Sequence, residues 1–469
     1  MSESEGRYGN APVWIGWGVF FVLLIITFAL GLLVSSIVTR RQEAIPPQPA
    51  HPIARWESDS RKWADNFPRE YDRYRMMLES STKTKYGGAF PRDYLEETPA
   101  NVILFAGYAF AKDYLQARGH IHAVEDVTKT KRINDKTPAT CWTCKSPDVP
   151  RLLAEMSPAD FYKQPFAAFK DQITHPIGCL DCHDPTTMRL TITRPALREA
   201  LQRQGRDLES IPHQEMRTLV CAQCHVEYYF KGDGKYLTFP WDEGFRIEEI
   251  EAYYEKAQFT DWTHAVSHAP MVKLQHPDYE VYLTGIHAYR NVACADCHMP
   301  YRSEGGVKFT DHYIQSPLLN IANSCAVCHR WSEEEIRSRV ESIQDKTKEV
   351  RHRVEEALVK AHFDTAAAMQ AGATDEELRG PRDLIRKAQL RWDFVAANNG
   401  MGFHSPGECL RILAASLDLA SQARTELARV LAAHGVIKPV VYPETATKTA
   451  AQAVEQSFVK GNPPDLLPK

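Results

Sequence analysis

The chain has 469 residues, 43% apolar and 25% charged, the balance of a globular protein able to bury a core. Its net charge of −4 gives no reason to expect nucleic acid as a partner, and an anionic substrate would have to be drawn by a local basic cluster.

Between Ala11 and Val38 there is no charged residue, and the run "VFFVLLIITFALGLL" is flanked by Trp14 and Trp17 on one side and Arg40-Arg41 on the other. That is long enough to cross a bilayer. A secretory signal has a shorter apolar region, roughly 7–15 residues, and a small-residue cleavage site that "SSIVTRRQEA" does not supply. Residues 1–45 are therefore expected to be an uncleaved membrane anchor with a short cytoplasmic tail. Arg40-Arg41 outnumber Arg7 and favour the cytoplasm, opposite to the side that the rest of the chain requires. The Pro-rich "IPPQPAHP" that follows suits a stiff spacer.

Residues 46–331 carry ten of the eleven cysteines, in short segments broken by proline and glycine. Such a chain is expected to wrap around large prosthetic groups. Four motifs read Cys-x-x-Cys-His: Cys179, Cys182 and His183; Cys221, Cys224 and His225; Cys294, Cys297 and His298; Cys325, Cys328 and His329. Two cysteines three apart can form thioethers to both vinyl groups of one haem, while the adjacent histidine ligates the iron. Zinc sites and disulfides also use paired cysteines, but neither requires a histidine directly after the second. Covalent haem attachment takes place outside the bacterial cytoplasm, which places the body of the chain in the periplasm. Each haem is expected to take a second axial histidine from among the 18 in the chain, four of which the motifs already use.

A fifth motif, "CWTCK", keeps Cys141 and Cys144 but puts Lys145 where the histidine should be. A lysine ligates iron only when deprotonated, so coordination and burial must depress its pKa. A different ligand implies a different role for that haem. With its opposite face open, substrate can bind there while the other four haems supply electrons. Two later stretches are equipped to serve such a site. "CHVEYYF" holds Glu227 and Tyr228, and "MVKLQHPDYE" holds Lys273, Gln275 and His276. A glutamate, an amide and backbone carbonyls suit calcium, and histidine and tyrosine can donate protons.

From Ser332 the pattern changes to long helices. "SEEE" (Ser332, Glu335), "TDEE" (Thr374, Glu377) and "SPGE" with Pro406 at the first helical position read as helix starts, and Gly435 can close the last helix. Ile336, Val340, Ile343, Thr347, Val350, Val354, Ala357 and Ala361 form a heptad-like seam. Residues 332–440 are expected to be a long-helix bundle that covers the core and offers the seam as a dimer interface, with a tail at 441–469. Cys409 is expected to be a buried thiol in the last long helix.

One Cys-Trp-x-Cys-Lys followed by four Cys-x-x-Cys-His motifs, with "CHVEYY" after the third motif and "KLQHP" before the fourth, resembles the ammonia-forming cytochrome c nitrite reductases. The likeness spans about residues 55–435. It implies a mainly α multihaem cytochrome c with a loop-rich haem-binding core and a long-helix C-terminal bundle, holding five covalently bound haem c and calcium. Lys145 is then the proximal ligand of the catalytic haem, with Arg132, Tyr228 and His276 around nitrite; a guanidinium matches a two-oxygen anion. Lys129 and Lys131 are alternative basic residues beside Arg132. Calcium would be held by the Glu227 and Gln275 side chains and the carbonyls of Tyr228 and Lys273. The second axial histidines would be His312 for the Cys179/Cys182 haem, His120 for Cys221/Cys224, His404 for Cys294/Cys297 and His287 for Cys325/Cys328, with His122 a near neighbour of His120.

The expected activity is periplasmic reduction of nitrite to ammonia. Nitrogen falls from +3 to −3, so six electrons are needed, and closely spaced haems refill one site without release of intermediates. The resemblance further implies a membrane tetrahaem quinol dehydrogenase as donor and a homodimer. A purely electron-transferring multihaem cytochrome, or a sulfite or hydroxylamine reductase, are the alternatives.

Overall fold

The computed structural model describes residues 12–43 and 48–468; the expected tail at 1–11 and the first prolines of the spacer lie outside the described residues. Helix α1 (Val13–Glu43) contains an apolar window of mean hydropathy 2.8, none of it buried against the protein. Among the described residues it is the one helix long and apolar enough to cross a membrane.

Between residues 48 and 331 the chain makes short helices and three antiparallel hairpins: Tyr229–Lys231 with Tyr236–Thr238, Trp262–Thr263 with Pro270–Met271, and Tyr301–Glu304 with Val307–Thr310. Nothing here is long enough to be stable alone, so distant partners fix it. Buried Arg194 pairs with buried Asp181 at 2.5 Å, and Arg73 reaches Asp311 at 2.8 Å, 238 residues away.

The C-terminal part is built differently. Helices α2 (Glu333–Gln370), α3 (Asp375–Ala396) and α4 (Pro406–Ala433) pack on one another around Val354, Leu358, Ile385, Ile412, Leu413 and Leu427, all fully buried. Helix α5 (Lys448–Val459) returns to pack against the short helix Ala100–Leu104. The expected starts of α2 and α3 form as reciprocal capping boxes, Ser332 with Glu335 and Thr374 with Glu377. The third start differs: Pro406 does open α4, but Ser405, at φ −151° and ψ 81°, makes no side-chain cap bond, and Glu408 pairs with the Arg411 guanidinium at 2.7 Å. Gly435, at φ +81°, ends α4 with the Val436 N–H on the Leu431 carbonyl and its own N–H on that of Ala432, the Schellman pattern. Cys409 is fully buried in α4, and burial pushes its thiol up to about 12.

The seam of α2 faces inward. Ile336 and Val340 pack with Leu318 and Ile321, and Val354 and Ala361 join the main core, while Lys346, Glu349, Arg353 and Glu356 form the outer face. Within one chain the seam thus serves the core. A polar joint fastens the bundle to the rest: His362 of α2 stacks on His264 at 3.7 Å and bonds Ser267 Oγ and Gln389 Oε1, each at 2.8 Å. The second ring bonds the Ile103 carbonyl at 2.8 Å, so both imidazoles are buried and neutral.

Candidate active site

All five cysteine motifs open into one continuous cavity of about 2400 Å³, more than twice the ~300–1,000 Å³ of a single small-molecule pocket. Each motif is one tight turn. His183, His225 and His329 donate their backbone N–H to the carbonyl of the first cysteine of their motif at 2.9–3.0 Å, which brings two thiols and an imidazole to one side. Trp142, within the 3-10 turn Ala139–Trp142, stacks on Phe166 at 4.0 Å and donates its indole N–H to that residue's carbonyl at 2.9 Å. The Lys145 N–H closes the turn on the Trp142 carbonyl at 2.9 Å, and Cys141, Cys144 and Lys145 all line the cavity. No disulfide joins any of the ten motif cysteines.

Imidazoles face each other in four pairs. Ring centroids are 6.2 Å apart for His183 and His312, 6.1 Å for His225 and His120, 6.3 Å for His298 and His404, and 6.4 Å for His329 and His287. Metal–imidazole bonds of about 2 Å, with each ring centre roughly 1 Å behind its nitrogen, put two rings on one metal about 6 Å apart. The residues therefore fit haem irons held between them. His225 is also 6.4 Å from His276, so spacing alone does not assign every partner. His122 is not in any of these pairs; its Nδ1 sits 3.4 Å from Glu125.

The motifs adjoin one another through their thiols. Cys144 lies beside Cys224 and Cys221 beside Cys294, and Cys182 lies near enough to Cys221 and Cys224 for their charges to interact. The Cys221/Cys224 motif is thus a junction of three others.

Arg132, Tyr228 and His276 line the same cavity. The Arg132 guanidinium lies 4.3 Å from the Phe110 ring centre, and its Nε donates to Thr130 Oγ1 at 3.2 Å; Thr130 in turn donates to Asp113 at 2.6 Å. Lys129 is 72% exposed and bound to Glu125 at 2.5 Å, and Lys131 is exposed, which leaves Arg132 as the half-buried basic residue here. Burial is the main cause that holds His276 down to about 3, so its ring is neutral with one N–H to donate. Burial, followed by the fields of Cys144, Cys141 and Glu227, raises Tyr228 well above an ordinary tyrosine.

Glu227 is fully buried. Its oxygens accept the Gln275 N–H at 2.6 Å and the Tyr254 hydroxyl at 2.7 Å, and the Gln275 amide donates to the Lys273 carbonyl at 2.9 Å. Burial pushes the Glu227 pKa well up, and a nearby cation would restore the ionised form. The Lys273 ammonium points away to Asp393 at 2.9 Å, leaving its carbonyl on the Gln275 side. Carboxylate, amide and carbonyl oxygens within one hydrogen bond of each other are the donor set calcium takes, so the residues fit that ion.

Two acidic residues escaped the sequence reading although they lie in the quoted "HPDYE". Asp278 accepts the His225 Nδ1–H at 3.0 Å, and Glu280 accepts the Glu227 N–H at 2.9 Å and the Trp241 indole N–H at 2.8 Å. Both are nearly or fully buried, and the available signal was the pairing of two acids beside a stretch otherwise read as ligand-bearing.

The chain is similar to known proteins in both sequence and fold. The family model for cytochrome c552 matches residues 59–462. The cytochrome c-552 of Bacteroides fragilis is 50% identical over 448 residues, covering 94% of this chain and 91% of the relative. That of Bacteroides thetaiotaomicron is 48% identical over 476 residues, covering 97% of each. Among solved structures, the cytochrome c nitrite reductase from Desulfovibrio desulfuricans superimposes with a TM-score of 0.77 at 34% identity, over 81% of this chain and 88% of that one. That protein's catalytic subunit is described as having two calcium sites.

Proposed function

The chain belongs to the cytochrome c552 family, and from that premise we propose that it reduces nitrite to ammonia in the periplasm at a haem whose proximal ligand is Lys145. The observation that carries the reading is an asymmetry. Four motifs meet a facing imidazole at 6.1–6.4 Å, whereas Cys141, Cys144 and Lys145 lie within electrostatic reach of Arg132, Tyr228 and His276.

Lys145 would hold the catalytic haem bound by Cys141 and Cys144, which supplies the iron for nitrite while four haems with histidine on both faces supply electrons. Those four haems would be held by His183 with His312, His225 with His120, His298 with His404 and His329 with His287. Arg132, steadied by Phe110 and Thr130, binds the oxygens of the anion. His276 donates a hydrogen bond to an oxygen as negative charge develops there, which favours cleavage of the N–O bond. Tyr228 serves the later proton steps from the loop that Glu227 ties to Gln275. Glu227, Gln275 and the carbonyls of Tyr228 and Lys273 would hold calcium, which ties both loops in register and keeps the local field positive. The protein would act as a homodimer anchored to the inner membrane by α1, with electrons from a membrane tetrahaem quinol dehydrogenase.

Three measurements test the reading. Mass of the mature protein should report five covalent haems, reduced viologen should drive nitrite consumption with ammonia as product, and one high-spin ferric signal should shift on adding nitrite or cyanide. Five haems with an all-low-spin spectrum and no turnover would instead identify an electron carrier.

A further inference from the structure

The haem-facing histidines are not held alike. His183 donates its Nδ1–H to the Met188 carbonyl at 2.9 Å, His298 to that of Gln315 at 3.0 Å and His312 to that of Thr310 at 2.8 Å. His225 donates to a carboxylate instead, Asp278 Oδ2 at 3.0 Å. Asp278 is nearly buried and clamped from the far side by the C-terminal bundle. Its Oδ1 accepts the Asn398 amide at 2.8 Å and the Asn399 N–H at 2.7 Å, and Oδ2 also accepts the Asn399 amide at 2.8 Å. A second bond ties it to the distal side, from the Asp278 N–H to the His276 carbonyl at 2.6 Å.

A carboxylate on Nδ1 pushes electron density through the imidazole and stabilises ferric over ferrous iron more than a neutral carbonyl does. We propose that Asp278 is a positioning residue that lowers the reduction potential of the haem held by His225 below that of haems whose histidines rest on carbonyls. The inference rests on the reading of His225 as that haem's axial ligand. Its place in the array gives the effect a purpose, since the Cys221/Cys224 motif adjoins the motif of Lys145 through Cys224 and Cys144. A haem held there would supply electrons to the one beside Lys145 with added driving force. Each electron is replaced by the membrane donor.

Asn399 sets the strength of the effect, because its amide shares Oδ2 with His225. The two side chains therefore make opposite predictions. Potentials are read on the holoprotein by redox titration with electron paramagnetic resonance, following each low-spin signal. In Asp278→Asn one haem should rise by at least a tenfold change in its Fe(III)/Fe(II) ratio at fixed potential, about 59 mV for one electron, the others moving less. Asp278→Glu should bring it back towards wild type. Asn399→Ala, at an exposed position, should lower the same haem. Unchanged potentials in both variants, or shifts of the same sign, would overturn the proposal; if Asp278→Asn fails to take up haem, the sign in Asn399→Ala decides. A wild-type protein without haem at Cys221/Cys224 would overturn the ligand assignment beneath it, and nitrite turnover with five haems but unmoved potentials would overturn this inference alone.

Discussion

Residues 48–331 and the bundle of α2, α3 and α4 solve the problem of an interior in opposite ways. The bundle fills its own core with apolar side chains such as Leu413 and Leu427, each contributing about 1.5–3 kcal/mol by leaving water. The earlier region surrounds a cavity with cysteines, histidines and buried ion pairs, and its short elements gain order from partners far along the chain. The contrast teaches where rigidity comes from. Asp393, Asn398, Asn399 and His404 all project from α3 or the loop after it, so the self-sufficient bundle presents fixed groups to a site that cannot fix itself.

If that division is right, substitutions in the cavity should act on chemistry and substitutions in the bundle on stability. The largest effect is expected from His276→Ala, which removes a donor without touching a cysteine motif: nitrite turnover should fall about 10²–10⁴-fold with haem content unchanged. A loss of haem instead would show that the cavity and its wall cannot be separated.

The joint between the regions should be sensitive to acid. Burial holds His362 at about 4, below the roughly 6.5 of an unfolded histidine. The unfolded chain then binds more protons than the folded one between these values. Stability is fully present above about pH 6.5 and is lost as pH falls towards 4, by roughly 3 kcal/mol for this ring alone. His264, also depressed by burial, adds in the same direction. Chemical denaturation of wild type and His362→Gln at pH 7 and pH 5 should show the variant with the flatter dependence; equal slopes would mean that the joint carries no proton linkage.

The smallest change should come at the edge of the bundle. Thr374→Ala removes the cap of α3 and should cost about 1 kcal/mol while leaving nitrite turnover as it was. A drop in turnover would mean that α3 must be held along its whole length to place Asp393.

Legibility in the sequence follows the same line. The bundle announced itself because its signals are local: Ser332 with Glu335 and Thr374 with Glu377 lie three residues apart, and the seam of α2 repeats on a fixed period. Ser405 misled because the four letters of a capping pattern record neither its backbone angles, φ −151° and ψ 81°, nor the pairing of Glu408 with Arg411. In the cavity the covalent motifs were readable, again because spacing within five residues defines them. What stayed hidden were the groups that hold them, such as Asp278 against His225 and Asp393 against Lys273, 53 and 120 residues apart, where no local pattern records the contact.

Cys409 has a consequence for how such a chain is made. In the five-haem protein proposed above, ten thiols must remain reactive until each is joined to its own vinyl group, and an eleventh would compete for haem or for a disulfide in an oxidising compartment. Cys409 is fully buried in α4, so neither haem nor oxidant reaches its thiol. The closed helical bundle thereby acts as a protecting group, keeping the chemistry of maturation to the cysteines that line the cavity.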